Sequence, residues 1–148
     1  MKTILATIAI VLATITTASA DIAEQLRFEA IKMEIQADEL QTQIDNLESG
    51  ARRRDAESAH FRAEARRLRK EFERRWEEGN AGGNWRDLPI EERSEIVDLE
   101  TYANIEESNA KEKDAEARQL RIQAENIKAT MQQLRQRATA YRRKADEQ

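Results

Sequence analysis

Between two long charged segments lies the sequence EGNAGGNWRDLP, residues 78–89. It holds three of the four glycines and the only proline of the 148-residue chain. Glycine commonly ends a helix, and proline fits the first turn of the next one. The stretch therefore predicts that one helix stops at Gly79 and that a second begins at Pro89, with Asp87 or Leu88 as its cap.

Both flanking segments carry apolar residues at alternating spacings of three and four. From Ala23 to Arg75 and from Ile96 to Ala145, 26 of the 31 positions at this spacing are apolar, although only 39% of the chain is apolar. We call these positions the seam. Such a heptad pattern is typical of coiled coils, and a short connection makes neighbouring helices antiparallel. The sequence thus predicts an all-α fold, a long antiparallel two-helix coiled-coil hairpin. Its predicted segments are a leader over 1–20, helix 1 over 21–78, a Gly-rich hairpin loop over 79–88 and helix 2 over 89–148.

Charge alternates in blocks along the chain. The net charge is −6 over residues 21–50, +5 over 51–75, −7 over 91–116 and +5 over 118–148. A hairpin sets blocks of opposite sign side by side, whereas a parallel pairing of the helices would oppose like charges. Charge complementarity decides orientation more than it adds stability, so the blocks favour the antiparallel arrangement.

One seam position in each heptad is nearly always small, usually alanine, and the other is usually large. Small residues let two helices approach to ~8 Å. Because an alanine-rich pair of helices buries little apolar area, the pattern predicts self-association into a larger helical bundle. Arg54, Ser58, Glu106 and Lys113 interrupt the seam at positions that a hairpin brings to one level. Buried charges are costly unless they are paired, so these four residues predict a polar layer.

The first twenty residues have the pattern of a leader for export. Lys2 precedes an uncharged apolar run, and Ala18-Ser19-Ala20 matches the small-x-small pattern of a signal-peptidase site. This predicts a signal peptide cleaved after Ala20. The alternative is an uncleaved membrane anchor, since residues 3–20 reach the lower length limit for spanning. Both interpretations predict an exported protein, periplasmic or extracellular, and the chain has no cysteine for disulfides.

Few residues of the sequence are candidates for catalysis or for binding a metal ion. His60 is the only histidine, lies on the flank of the seam and has no cysteine or second histidine at ligand spacing. The many carboxylates occupy heptad flanks, where they serve solubility and ion pairing, whereas a general acid and base need a cleft. The Gly82-Gly83 pair lacks the preceding strand and the Gly-Lys-Ser/Thr pattern of a phosphate loop. The sequence predicts no catalytic residue, no metal and no cofactor.

Two sets of residues are candidates for binding a partner. Phe72, Trp76 and Trp85 cluster near the loop, where they can either close the turn or form a docking tip. Phe28, Ile31 and Ile35 form a stripe on the face of helix 1 away from the seam, which suggests oligomerisation or partner docking.

The basic stretch over residues 52–75 does not indicate nucleic-acid binding. Removal of residues 1–20 would leave 24 bases and 29 acids, a net charge of −5. An acidic segment is also placed to pair with this stretch. Pairing within the chain is the favoured interpretation, with an anionic partner as the alternative.

Together these features predict an exported interaction or structural protein, a spacer, scaffold or adaptor without catalytic activity, whose partner is a protein or a second copy. The apolar N-terminal segment followed by a helical coiled coil resembles the inner-membrane spanins of phage lysis, which implies a membrane-anchored bridging protein as an alternative. The plan of a signal peptide followed by a long hairpin is also similar to the Skp family of periplasmic chaperones, which implies a holdase. That family has a β-rich trimerising body, and no strand-patterned segment is present in this sequence.

Overall fold

The fold consists of two long helices joined by a short connection. A computed structural model describes the backbone of residues 2–81 and 85–148 and the side chains of residues 20–81 and 85–148. Helix α1 spans Lys2–Ala81, a short 3₁₀ helix spans Trp85–Asp87, and helix α2 spans Ile90–Asp146. The described residues contain no strand. The two long helices pack against each other, which confirms the predicted all-α hairpin.

The chain divides into two compact units. The first contains Met1–Asn46 and Ala124–Gln148, and the second contains Leu47–Gln123. In the first unit, Arg142 contacts Glu34 at 2.5 Å and Arg135 contacts Asp38 at 3.6 Å. In the second unit, Arg62 pairs with Asp114 and Arg69 with Glu107. In each unit the residue number rises along α1 as it falls along α2, so the helices are antiparallel.

Small residues fill the interior of both units. Ten of the thirteen buried apolar side chains among the described residues are alanine, and the buried positions recur every seven residues along each helix. The large seam residues beside them are mostly half-buried. Alanine therefore forms the contact between the helices, as the seam pattern predicts. The buried alanines are Ala30, Ala37, Ala51, Ala65, Ala103, Ala110, Ala117, Ala124, Ala138 and Ala145.

The connection differs from the sequence prediction at both ends. Helix α1 continues through Gly79 to Ala81 instead of ending at residue 78. A Cβ atom on Gly79 would lie 2.7 Å from Leu88 Cδ1, so glycine is suited to this position because Leu88 packs against it. The amide of Arg93 donates to the carbonyl of Pro89 at 3.1 Å, the first bond of α2. Pro89 therefore occupies the cap position that the sequence assigned to Asp87 or Leu88.

The N-terminal boundary also differs from the predicted organisation. Helix α1 has no break at Ala20, which is exposed, and its backbone begins at Lys2 rather than at residue 21. The side chains of residues 1–19 lie outside the described residues, so the predicted leader remains a prediction.

Replacing Gly50 with alanine is expected to stabilise the second unit by about 0.5–1 kcal/mol, because glycine in a helix interior has a larger entropy cost than alanine. The added Cβ would lie 3.4 Å from Leu120 Cδ1, an ordinary contact. Urea unfolding followed by circular dichroism measures the change. Gly79→Ala is the control and should gain less, since Leu88 must move. A loss at Gly50 would show that Leu120 cannot accommodate the methyl group.

Candidate contact surfaces

A buried hydroxyl links the helices inside the second unit. Ser58 is fully buried, and its Oγ lies 2.7 Å from an Asp114 carboxylate oxygen and 3.0 Å from the carbonyl oxygen of Ala110. Arg62 binds the second oxygen of Asp114. The Ser58 hydrogen bond, followed by Arg62, lowers the pKa of Asp114. The hydroxyl is thus satisfied across the interface, as a buried polar group requires.

Two of the other polar-layer residues share one carboxylate. Arg54 contacts Glu116 at 2.8 Å, and Lys113 contacts the same Glu116 at 2.7 Å. Arg54 also contacts Glu57 at 2.7 Å. Glu106 is not part of this network and lies 3.5 Å from the side-chain amide of Asn109. The structure therefore places Arg54 and Lys113 in one polar network through Glu116 and Ser58 in a separate one through Asp114. Asp114 and Glu116 are residues that the sequence prediction missed.

One side of the seam is closed by ion pairs. Because each residue turns 100° around a helix, the residue four after a buried seam position lies about 40° to one side of it. Residues at this offset pair across the helices at three levels of the second unit. We call this side the ion-pair edge. Its pairs are Arg62–Asp114, Arg69–Glu107 and Asp55–Arg121.

The other side of the seam is apolar and only half-covered. Residues three after a buried seam position lie about 60° to the opposite side. In the second unit these residues are mostly large and all remain half-buried. We call this side the apolar edge. Its apolar members are Leu47, Phe61, Leu68, Leu99 and Leu120, and the polar-layer residues Arg54, Glu106 and Lys113 lie among them.

The aromatic residues near the loop form a stack. The ring centroids of Phe72 and Trp76 are 5.8 Å apart, and those of Trp76 and Trp85 are 4.4 Å apart. Trp85 is half-buried and its Cε3 lies 3.8 Å from the Cβ position of Gly79, whereas Trp76 is 39% exposed. The geometry fits the turn-closing interpretation for Trp85 and leaves Trp76 accessible to a partner.

The predicted outer stripe of α1 lies on the surface of the first unit. Phe28, Ile31 and Ile35 are all about half exposed, together with Ile22. The Lys32 ammonium lies 4.6 Å from the centroid of the Phe28 ring, a cation–π contact that covers only part of that side chain.

A second exposed apolar face lies on α2 in the second unit, and the sequence prediction missed it. Ile90 is 72% exposed, and Val97, Tyr102 and Ile105 are each about half exposed. Spacings of seven and eight place Ile90, Val97 and Ile105 on one helix face. The spacing of these residues is visible in the sequence, beside the stronger periodicity of the alanine-rich seam.

The described acidic residues and His60 form no cluster suited to a metal ion. His60 is exposed and its ring lies 6.0 Å from that of Phe61. Among the described side chains, no group of three or more His, Asp or Glu is placed to hold a metal ion. No described helix is both long and apolar enough to cross a membrane. The candidate anchor over residues 3–20 lies almost wholly outside the described side chains.

Acid is expected to weaken the second unit through Glu71. Hydrogen bonds from Arg74 and then Arg75 lower the pKa of Glu71 from 4.5 to about 2. A carboxylate whose pKa is lower in the folded chain stabilises that state above about pH 4.5, and the contribution is lost as the pH falls toward 2. The urea midpoint should therefore fall across this range, and less so in added salt because the pair is partly exposed. Glu71→Gln should flatten the dependence, whereas Glu73→Gln, an exposed residue without an ion pair among the described residues, should leave it unchanged.

Comparison with known proteins finds no significant match to this chain among protein-family models, curated proteins or solved structures.

Proposed function

We propose that this chain is an exported contact protein of the cell envelope or the extracellular space, a spacer, scaffold or adaptor that acts by binding and has no catalytic activity. The observation that carries the proposal is the distribution of side-chain size. Alanine occupies most of the described interior, while ten of the large apolar side chains in the same part of the chain lie on the surface. Export rests on the leader pattern of the first twenty residues.

Exposed apolar side chains are ordinary when they are scattered. Here they lie together on particular helix faces, on the outside of α1 around Phe28 and on the outside of α2 around Val97. Burying a large apolar side chain stabilises an assembly by roughly 1.5–3 kcal/mol. Burial of these exposed side chains can therefore stabilise a contact with a protein partner or a second copy.

Site-specific photo-cross-linking in the native cells tests the proposal. A photoreactive side chain at Ile90, the most exposed of these residues, should give a discrete adduct. The same probe at Arg66, which is exposed and forms no ion pair with a described residue, is the matched control. Absence of adducts at both Ile90 and Ile35, in a chain that retains its biological activity, would contradict a contact function.

The membrane-anchored bridging protein is the second candidate. Helix α1 runs without a break from Lys2 to Ala81, so the backbone of the apolar segment is continuous with the arm of the hairpin. This continuity favours an anchor joined rigidly to the arm. The intact mass of the exported protein separates the two candidates, because a cleaved chain begins at Asp21 and an anchored chain retains residues 1–20.

A further inference from the structure

We propose that the exposed outer face of α2 in the second unit binds a basic amphipathic helix of another protein. This inference rests on the proposed contact function and names the chemistry of the partner at one face. The face combines an uncharged row of side chains with carboxylates on both of its flanks. The row determines the shape of the partner, and the carboxylates determine its charge.

The uncharged row runs through the acidic block of α2. Residues 91–116 include ten acids and three bases, so half of them are charged. The exposed positions one and five residues after a buried seam position nevertheless remain uncharged as far as Ser108, and the row continues one heptad earlier to Ile90. These positions lie about 100° and 140° around the helix from the seam, on its outer side. We call them the outer row, which consists of Ile90, Ser94, Val97, Thr101, Asn104 and Ser108.

The spacing of the outer row is that of a seam between packed helices. Its residues follow one another at intervals of four and three, the pattern that keeps one helix against another over several turns. The row is about 27 Å long, which matches a partner helix of about five turns. Ile90 and Val97 are 72% and 48% exposed, and Ile105 beside the row is 48% exposed. The row therefore offers apolar surface that a partner helix can bury.

The polar members of the outer row do not prevent such a contact. The Thr101 hydroxyl donates to the carbonyl of Val97 at 3.2 Å, so it is satisfied within α2. The Asn104 amide oxygen accepts from Arg69 at 3.4 Å. Serine and threonine at a seam bury less apolar area than leucine would, which favours a reversible contact.

Carboxylates without an ion pair flank the outer row on both sides. On one side, two residues after a buried seam position, lie Asp98 and Glu112, and Glu91 lies one heptad before Asp98. On the other side, four residues after a buried seam position, lies Glu100. All four are exposed and none forms an ion pair with a described residue. Arg93, the base on the second side, is half-buried and its Nε is shielded from solvent.

These four carboxylates differ from others in the same block. Glu95 and Glu107 already bind Arg75 and Arg69 of the opposite helix. The charge that remains beside the outer row is therefore negative. Residues that flank a seam select the partner by charge, and like charges across a contact are unfavourable. The complementary partner is a helix with an apolar row and lysine or arginine on its flanks.

Binding of two designed helical peptides tests both the face and the charge. Each peptide has leucine along one row, and its flanks are lysine in the basic peptide and glutamate in the acidic peptide. Like-charged flanks discourage either peptide from pairing with itself. We expect fluorescence anisotropy to show that the purified protein binds the basic peptide at least ~10-fold more tightly than the acidic one. The affinity should fall as salt is added.

Variants of the protein assign the binding to the outer row. Val97→Ser/Ile105→Ser removes apolar surface, and Asp98→Asn/Glu100→Gln/Glu112→Gln removes the flanking charge. Each should weaken binding of the basic peptide at least ~5-fold. Circular dichroism of each variant verifies that helicity is retained.

Two matched controls make the same changes elsewhere. Ile31→Ser/Ile35→Ser alters exposed isoleucines of α1, and Glu39→Gln/Glu73→Gln/Glu77→Gln removes three exposed acids that have no ion pair among the described residues. Both should leave binding unchanged. Equal weakening by either control would overturn the assigned face. Equal affinity for the two peptides, or no binding of either, would overturn the basic helix as the partner.

The Ile90 cross-link in the native cells separates this inference from the contact function itself. Mass spectrometry of the adduct should identify a partner segment with apolar residues at helical spacing and basic flanks, and the Asp98→Asn/Glu100→Gln/Glu112→Gln variant should lose the adduct. An adduct to a second copy of this chain, or to a segment without basic flanks, would overturn the inference and leave the contact function standing. Absence of adducts at both Ile90 and Ile35 would instead contradict the contact function.

Discussion

Replacing Ala117 with leucine is expected to destabilise the second unit by about 3 kcal/mol, at the upper end of the usual cost of overpacking. Ala117 is fully buried and lies one heptad beyond Ala110, which Ser58 contacts across the interface. The residue at the corresponding level of α1 is Ala51, also buried. Three added carbon atoms have no space between two alanines, so the helices must separate over several turns. Urea unfolding followed by far-UV circular dichroism measures the loss.

The matched control is two residues away on the same helix. Ala115 is exposed, so Ala115→Leu adds the same atoms to solvent and should change stability by only a few tenths of a kcal/mol. If both variants unfold at the same urea concentration, the alanine contact is not what sets the distance between the helices.

Trp85→Ala is expected to destabilise the second unit by about 2 kcal/mol. Burial of a tryptophan in a core contributes ~3–5 kcal/mol, and a half-buried one contributes less. Trp85 stacks on Trp76 with centroids 4.4 Å apart, and its carbonyl accepts the Leu88 amide at 3.3 Å in the 3₁₀ turn. Loss of the ring removes the stack and uncovers Gly79. Thermal and urea unfolding of the purified protein measure the effect.

A conservative variant separates turn closure from docking. Trp85→Phe keeps an aromatic ring against Trp76 and should retain most of the stability. If Trp85→Ala instead leaves the unfolding curve unchanged and abolishes the Ile90 adduct, the aromatic stack is a docking surface and the turn-closing role is wrong.

The fold could be predicted from the sequence because its signals are repetitive. Alanine at every seventh position indicates two long helices packed along a seam, and the blocks of alternating charge favour their antiparallel pairing. Both signals persist over many turns. The ends of the helices could not be placed as well. Gly79 has the signal of a helix stop, but its lack of a Cβ serves the close approach of Leu88, a tertiary contact that local propensity does not encode.

The candidate contact surfaces were predicted only in part. Phe28, Ile31 and Ile35 are exposed, and Trp76 and Trp85 meet near the turn. That these residues bind a partner remains a prediction. The partners of the polar layer depend on the register between the helices, and a heptad pattern repeats too regularly to define that register. In the sequence alone, Asp114 and Glu116 therefore cannot be told apart from ordinary flank residues, and only the structure shows that they pair with Ser58 and Arg54.

The ion-pair edge also bears on how the chain avoids misfolding. If one helix slipped by one heptad along the other, alanines spaced by seven would still pack almost equally well. Such a misregistered intermediate would keep its interior packed. In Arg62–Asp114 and Arg69–Glu107 the base lies on α1 and the acid on α2. In Asp55–Arg121 the acid lies on α1 and the base on α2, the reverse order. A slip in one direction sets Asp55 against Asp114, and a slip in the other sets Arg62 against Arg121. Each slip therefore places two like charges together at the reversed pair and breaks the Ser58–Asp114 hydrogen bond, two register signals that the repeating alanines lack.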